Sequence, residues 1–278
     1  MNVREPALPV DPRWPGEPTV LEVGRARRWL ARRGVAVWLP TRVLALRLGG
    51  RGIGTRGTPG FAIVLAVLWT LTGVVFKRND LPGEAAVLAV LYASFHVARW
   101  RRAQRRDRLA ESLTGATAPP PLRVAVRQVG WWYLVSTGLT FLGGAALCAA
   151  AFLTGPRFTW KHWYPPEVAI GVNTVALAFA AGATALVLGR VVRGPVIAED
   201  AASHAVDGAL RTLDPYLFAP TAPYVVLAMP VYVVDWAWPG PLGWISLAYL
   251  VTVFALQLIG WLLARRRSRS LPPGCYGG

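Results

Sequence analysis

Long apolar stretches alternate with short arginine-rich ones along most of this chain. The clearest is 130–153, GWWYLVSTGLTFLGGAALCAAAFL, whose 24 residues carry no formal charge. At about 1.5 Å per helical residue, that length crosses roughly 30 Å of hydrocarbon. Trp131, Trp132 and Tyr133 open it, amphipathic rings favoured at a membrane–water boundary. Two further runs are as clean: 57–76 has 20 uncharged residues and 168–189 has 22. A fourth, 239–264, ends against Arg265, Arg266 and Arg267. Two are weaker. Residues 81–98 include Glu84 and His96, and 216–234 is interrupted by Pro220, Pro223 and Pro230. The pattern predicts an all-α polytopic membrane helix bundle of six transmembrane helices.

Charge placement orients the bundle. Arg99–Arg108, RWRRAQRRDR, is too charged to enter lipid. With six spans and both termini inside, 26 of the 30 basic residues fall on the inner side; Lys77, Arg78, Arg157 and Lys161 fall outside. Deleting the weak second span would leave only 13 inside, so the positive-inside rule favours six spans, N-in and C-in. Trp160, Trp163, Tyr164, Trp236 and Trp238 would then form an outer aromatic belt. This placement also disposes of the net charge of +16 as a nucleic-acid signal: the arginines sit between apolar runs, and no nucleic-acid partner is expected.

Three parts follow: a basic N-terminal arm, 1–56; a membrane domain, 57–264; and a tail, 265–278, with arm and tail on the cytoplasmic side. The five prolines of 1–19 predict disorder, and no positive start followed by an apolar core predicts a cleavable signal. Residues 20–48 interleave arginines with Val20, Val23, Trp29, Leu30, Val35, Trp38, Val43, Leu44 and Leu48. Either they form one or two amphipathic helices, broken near Gly34 and Pro40, on an anionic inner leaflet, or they are a solvated basic arm.

Lipid offers little hydrophobic drive for helix association, so small residues must let backbones approach. Thr140, Gly144 and Cys148 recur every four residues, as do Thr174, Ala178 and Gly182. These two faces are expected to meet. No internal repeat is visible, which weakens a secondary-transporter reading.

Candidate chemistry centres on 198–214, AEDAASHAVDGALRTLD. At helical spacing, Asp200, His204 and Asp207 share a face, suited to a metal or a proton relay. The simpler reading is a solvated amphipathic helix with an Asp207–Arg211 pair at i,i+4 and Ala201, Ala205 and Ala209 facing the bundle. One histidine is too few for a dedicated centre, so no metal site is assigned. Asn173 and Gln257 are polar groups within spans, suited to bonds between helices or to a substrate. The prolines of 216–234 can kink their span and free carbonyls toward a cavity. Cys148 and Cys275 are too far apart in this topology to pair. No phosphate-binding loop, dinucleotide glycine pattern, HExxH or GxSxG elbow appears, so neither catalytic residues nor a cofactor is assigned.

The wording GPVIAEDAAS…VDGALR within 190–215, and the overall architecture, resemble uncharacterised multi-pass membrane proteins of actinobacterial type. Arginine almost to the exclusion of lysine agrees with a GC-rich coding sequence. The resemblance implies a bacterial plasma-membrane protein and brings no activity with it. The expected role is a membrane subunit or accessory component of a transport system, its 99–129 and 190–215 segments docking a partner such as an ATPase subunit. The alternative is a non-transporting scaffold or signalling protein.

Overall fold

A computed structural model describes residues 16–52, 83–114, 118–154, 165–228 and 241–278. The run 57–76, the aromatic residues assigned to the outer belt, Pro230 and residues 1–15 lie outside the described residues. Among the described residues the chain is all-α, with one isolated bridge and no strand. The helices are α1 (Val20–Ala31), α2 (Arg42–Gly50), α3 (Glu84–Thr114), α4 (Leu122–Val129), α5 (Trp131–Gly138), α6 (Gly144–Thr154), α7 (Pro166–Arg193), α8 (Ala201–Phe218) and α9 (Pro241–Arg267). A π-helical turn, Leu139–Gly143, joins α5 to α6.

Three stretches are long and apolar enough to cross a membrane: Trp131–Leu153, Glu167–Arg193 and Trp244–Arg267. By that measure the described residues support three spans of the six expected. The weak second run is part of α3, whose 31 residues continue without a break into the arginine-rich segment. Its apolar portion alone is short of a full crossing. The fifth run is not one helix in its described part. Tyr216 lies in α8, residues 219–221 are irregular, and a 3₁₀ helix occupies Ala222–Ala228. Pro220 and Pro223 favour the break, since proline cannot donate to the preceding turn and disfavours α-helical backbone at its predecessor.

The 130–153 run behaves as its composition predicts, with one exception. Gly130 has φ +90°, which separates α4 from α5 at a conformation only glycine adopts cheaply. Trp131, 73% exposed, and Trp132 face outward, whereas Tyr133 is fully buried and donates its hydroxyl to the Ala219 carbonyl.

The small-residue seam is half as expected. Gly144 lies against the Leu177 side chain, 3.1 Å from where its Cβ would stand, and Cys148 shares a cluster with Leu147, Ala151 and Ile170. Thr174, though exposed, keeps its side chain against Cys148, whereas Ala178 and Gly182 point outward and Gly182 has nothing within 4 Å. α7 instead presents Asn173, Ala176, Leu177, Ala180 and Thr184 to its neighbours. The packed face of α7 is therefore one residue out of phase with the expected one.

The described part of the N-terminal arm is not solvated throughout but packs onto the rest of the chain. It does form two helices, with the break where Gly34 (φ +80°) and Pro40 stand. Thr19 caps α1 in a reciprocal box with Glu22, and Thr41 caps α2. Trp29, Leu30, Leu44 and Leu48 are buried against Ala202, Val206 and Leu210 of α8 and against Tyr276. α2 also meets α3, where Val43 and Leu46 cluster with Ala110 and Ile197. The tail closes the unit: Leu39 and Gly278 exchange backbone hydrogen bonds at 2.7 and 3.1 Å, and Thr41 donates to the Tyr276 carbonyl. Arg33 stacks on Trp29 and donates to the Ser268 carbonyl at 2.6 Å. Burial, then the nearby charges of Arg265 and Arg32, lower its pKa to about 10. Arm, second half of α3, α8 and tail thus form one arginine-rich head beside the apolar bundle.

Candidate functional site

Arg47 in the last turn of α2 and Arg51, its C-cap, stand one helical turn apart and so point the same way, and both side chains are buried. Opposite them, α8 carries Asp207, Arg211 and Asp214 in phase with the apolar face formed by Val206, Leu210 and Leu213. α3 contributes Asp107. Buried charges persist only when paired and hydrogen-bonded, and here each one is. Arg47 donates through Nη2 to Asp207 Oδ1 at 2.6 Å and through Nη1 to the Ile197 carbonyl at 2.8 Å. Its Nε lies 3.4 Å from Asp107 Oδ1.

Arg51 is the hub. Its Nη1 and Nη2 reach the two Asp107 oxygens at 2.7 and 2.8 Å, while Nε and Nη2 reach Asp214 at 2.9 Å each. Such forked guanidinium–carboxylate pairs are the strongest polar contacts available to side chains. Arg211 completes the set: its Nε donates to Asp207 Oδ2 at 2.7 Å, and its terminal nitrogens hold the Val191 carbonyl in the last turn of α7 and the Gly194 and Pro195 carbonyls just after it. Three guanidinia face three carboxylates, joining α2, α3, α8 and the end of α7.

The two carboxylates on Arg51 respond oppositely. Burial pushes both upward. At Asp107 the guanidinia of Arg51 and Arg47 outweigh burial and hold the carboxyl below its ordinary range. At Asp214 burial prevails and the carboxyl is raised. Asp107 has a side chain 20% exposed and two cationic neighbours; Asp214 is 9% exposed and leans chiefly on Arg51. Arg51 itself loses some basicity to burial, but its two carboxylates hold it well above its ordinary value.

The residues singled out from the sequence do not converge. Asp200 is the N-cap of α8 and accepts from the Ser203 backbone N–H at 2.7 Å, and its bonds to Ser203 hold its pKa down. His204 is exposed, and Asp207 is buried with Arg47 and Arg211. The Asp207–Arg211 pair exists, but inside the head and not in solvent. Ala202, Val206 and Leu210 form the buried stripe in place of Ala201, Ala205 and Ala209. Among the described residues no group of three His, Cys, Asp or Glu is placed to hold a metal. Asn173 and Gln257 are buried on different helices, and Gln257 accepts a bond from the Ala222 backbone N–H at the irregular break. That use is structural: it satisfies a donor that the 3₁₀ turn leaves unpaired.

Arg51, Asp107 and Asp214 were not singled out by the sequence. The available signal was phase: Asp207, Arg211 and Asp214 fall on the apolar stripe of α8, where a solvated charge has no place.

The ion-pair network forms the floor of a cavity of about 590 Å³ between α2, α3, α8 and the end of α7. Trp100, Leu186, Val191 and Phe218 make one flank, and Arg108, Arg190, Arg193 and Glu111 stand around the opening. A second, apolar groove of about 270 Å³ lies beside the chain break, lined by Tyr216, Pro220, Pro223, Phe254, Gln257 and Trp261. The chain matches no protein-family model, no curated protein and no solved structure.

Proposed function

We propose that this chain is a six-span bacterial plasma-membrane protein, N-in and C-in, that acts as a scaffold or signalling component: its apolar bundle anchors a folded cytoplasmic head. The observation that carries the reading is where the polar machinery lies. The charged cavity is built into the head, between α2, α3, α8 and the end of α7. In the apolar half, Gln257 is engaged with the Ala222 backbone and the adjoining groove is apolar. A translocation route calls for uncommitted polar groups converging at mid-bilayer depth, and Asn173 and Gln257 stand on different helices, with Gln257 committed to the Ala222 backbone. The inner leaflet and a cytoplasmic protein are the partners this arrangement serves.

One feature favours a transport-associated subunit instead, docked to an ATPase subunit: the irregular backbone at 219–221 between α8 and the 3₁₀ helix, which membranes tolerate only where protein or a water-lined cavity covers it. Photo-crosslinking separates the readings. A photoreactive residue replacing exposed His204 on α8 should yield one discrete protein adduct in intact cells. Adduct formation lost in an ATP-depleted cell would favour the transport subunit; no adduct at His204, nor at exposed Arg105 on α3, would sink both docking readings. Topology has its own measure: exposed Cys275 should react with a membrane-impermeant maleimide in inverted vesicles but not in intact cells.

A further inference from the structure

The floor and the opening of the large cavity differ in charge balance. On the floor, Arg47, Arg51 and Arg211 are matched by Asp107, Asp207 and Asp214. At the opening, Arg108, Arg190 and Arg193 are exposed and have Glu111 as the sole carboxylate beside them in the cavity lining. None of these three guanidinia forms an ion pair or hydrogen bond with another described residue. Arg190 and Arg193 come from the last turn of α7 and Arg108 from α3, so two separate elements bring the cations to one rim. The floor cannot neutralise them, because its own carboxylates are committed.

We propose that this cavity binds a phosphate-bearing anion. Guanidinium forks match phosphate oxygens in pairs and are less strongly hydrated than ammonium groups; three converging on one opening, partly shielded by protein, attract an anion more strongly than the same charges spread over a surface. The flank of Trp100, Leu186 and Phe218 receives the remainder of the ligand, which must then be apolar or flat. Leu186 is half-exposed on the side of α7 that continues into its apolar length, so an acyl chain leaving the cavity has an apolar path to follow. A phospholipid headgroup and a soluble phosphate compound share the chemistry recognised here. The site stands on the cavity itself and holds whether the head docks a protein or not.

The test uses the full-length chain in a neutral detergent, titrated with phosphatidylglycerol, phosphatidylcholine, glycerol 3-phosphate and ATP, and read by native mass spectrometry. The expected result is at least tenfold tighter retention of one anionic phosphate compound than of zwitterionic phosphatidylcholine. Arg108→Gln/Arg190→Gln/Arg193→Gln should abolish that preference. Arg266→Gln/Arg267→Gln/Arg269→Gln, which removes equal charge at the end of α9, should keep it. Preference for phosphatidylglycerol identifies the membrane as the source; preference for glycerol 3-phosphate or ATP identifies a soluble one. Equal loss in both triple variants would reduce the effect to net charge and overturn the site, as would no preference in the wild-type chain. Since the rim arginines are exposed, the fold should survive; Arg193→Glu alone, checked by gel filtration, must also weaken binding at least threefold.

Discussion

The head and the bundle hide opposite things. In the head, Trp29, Leu30, Leu44, Val206 and Leu210 are sealed from the surface, and so are the charged side chains of Arg47, Arg51, Asp207, Arg211 and Asp214. In the bundle many apolar groups point out: Leu153 is 82% exposed, Leu142 76% and Val175 71%. A water-soluble protein would not tolerate such a surface, whereas lipid tails solvate it. The two regions are consequently held by different forces. Water drives apolar side chains into the head, where the buried charged groups must pair. The bundle has no such drive and relies on close approach, Gly144 on Leu177, and on hydrogen bonds such as Tyr249 to the Thr140 carbonyl at 2.7 Å. Mutations should therefore act on one region through unpaired charge and on the other through shape.

The largest effect is expected at Arg51. Arg51→Ala strands Asp107 and Asp214, and breaking one partner of a buried pair costs about 3–5 kcal/mol. Limited proteolysis of the detergent-solubilised chain should then cut between α1 and α2 and leave the bundle intact. Arg51→Met combined with Asp107→Leu and Asp214→Leu removes the charges together and should recover most of the protection. If Arg51→Ala left the arm as resistant as wild type, the network would not be what holds the head.

Shape should decide the next two. Gly49 of α2 sits so close to α1 that a Cβ there would overlap Glu22, which itself pairs with Arg106 of α3 at 2.8 Å. Gly49→Ala should cost about 1–3 kcal/mol by overpacking, while Gly24→Ala, with nothing within 4 Å, should stay within about 0.5 kcal/mol. The bundle supplies the parallel case. Gly144→Leu should lower the thermal midpoint by a similar overpacking cost of about 1–3 kcal/mol, and Gly182→Leu should leave it unchanged. Equal effects at 144 and 182 would contradict the phase of α7.

How far these contrasts were legible in the sequence follows from the range of the forces. Hydropathy over about 20 residues is local, so α5 to α6, α7 and α9 could be read directly. The two helices of the arm were legible too, since Gly34 and Pro40 punctuate them. What they dock on was not. Arg51 meets Asp107 and Asp214 across 56 and 163 residues of sequence, and nothing in a single chain marks which distant carboxylate a buried arginine will choose. The same limit explains the misphased stripes. Small residues every four positions occur on both sides of α7, and only the neighbours decide which side is covered. Leu177, a large residue, supplies the contact to Gly144 where a small-on-small seam was expected.

The smallest expected effect is also the one that isolates a single carboxylate. Asp107 has its folded pKa below that of the unfolded chain, held there by Arg51 and Arg47 against the opposing pull of burial. Its share of stability is accordingly present above the ordinary carboxylate value near 4 and is lost as pH falls through the depressed folded value. Asp214 has the opposite sign: its folded pKa is raised, so ionisation costs the folded state more than the unfolded one, and its share is lost as pH rises above the ordinary value. The two partly cancel in the wild-type head, which leaves total acid sensitivity a poor probe. Comparison with Asp107→Asn removes the ambiguity. The gap in thermal midpoint between wild type and Asp107→Asn should be widest at neutral pH and should narrow steadily as pH falls from about 5 toward 3. A gap that widened on acidification would mean that burial, and not Arg51, governs Asp107, and that the guanidinium is shared less evenly than its paired hydrogen bonds indicate.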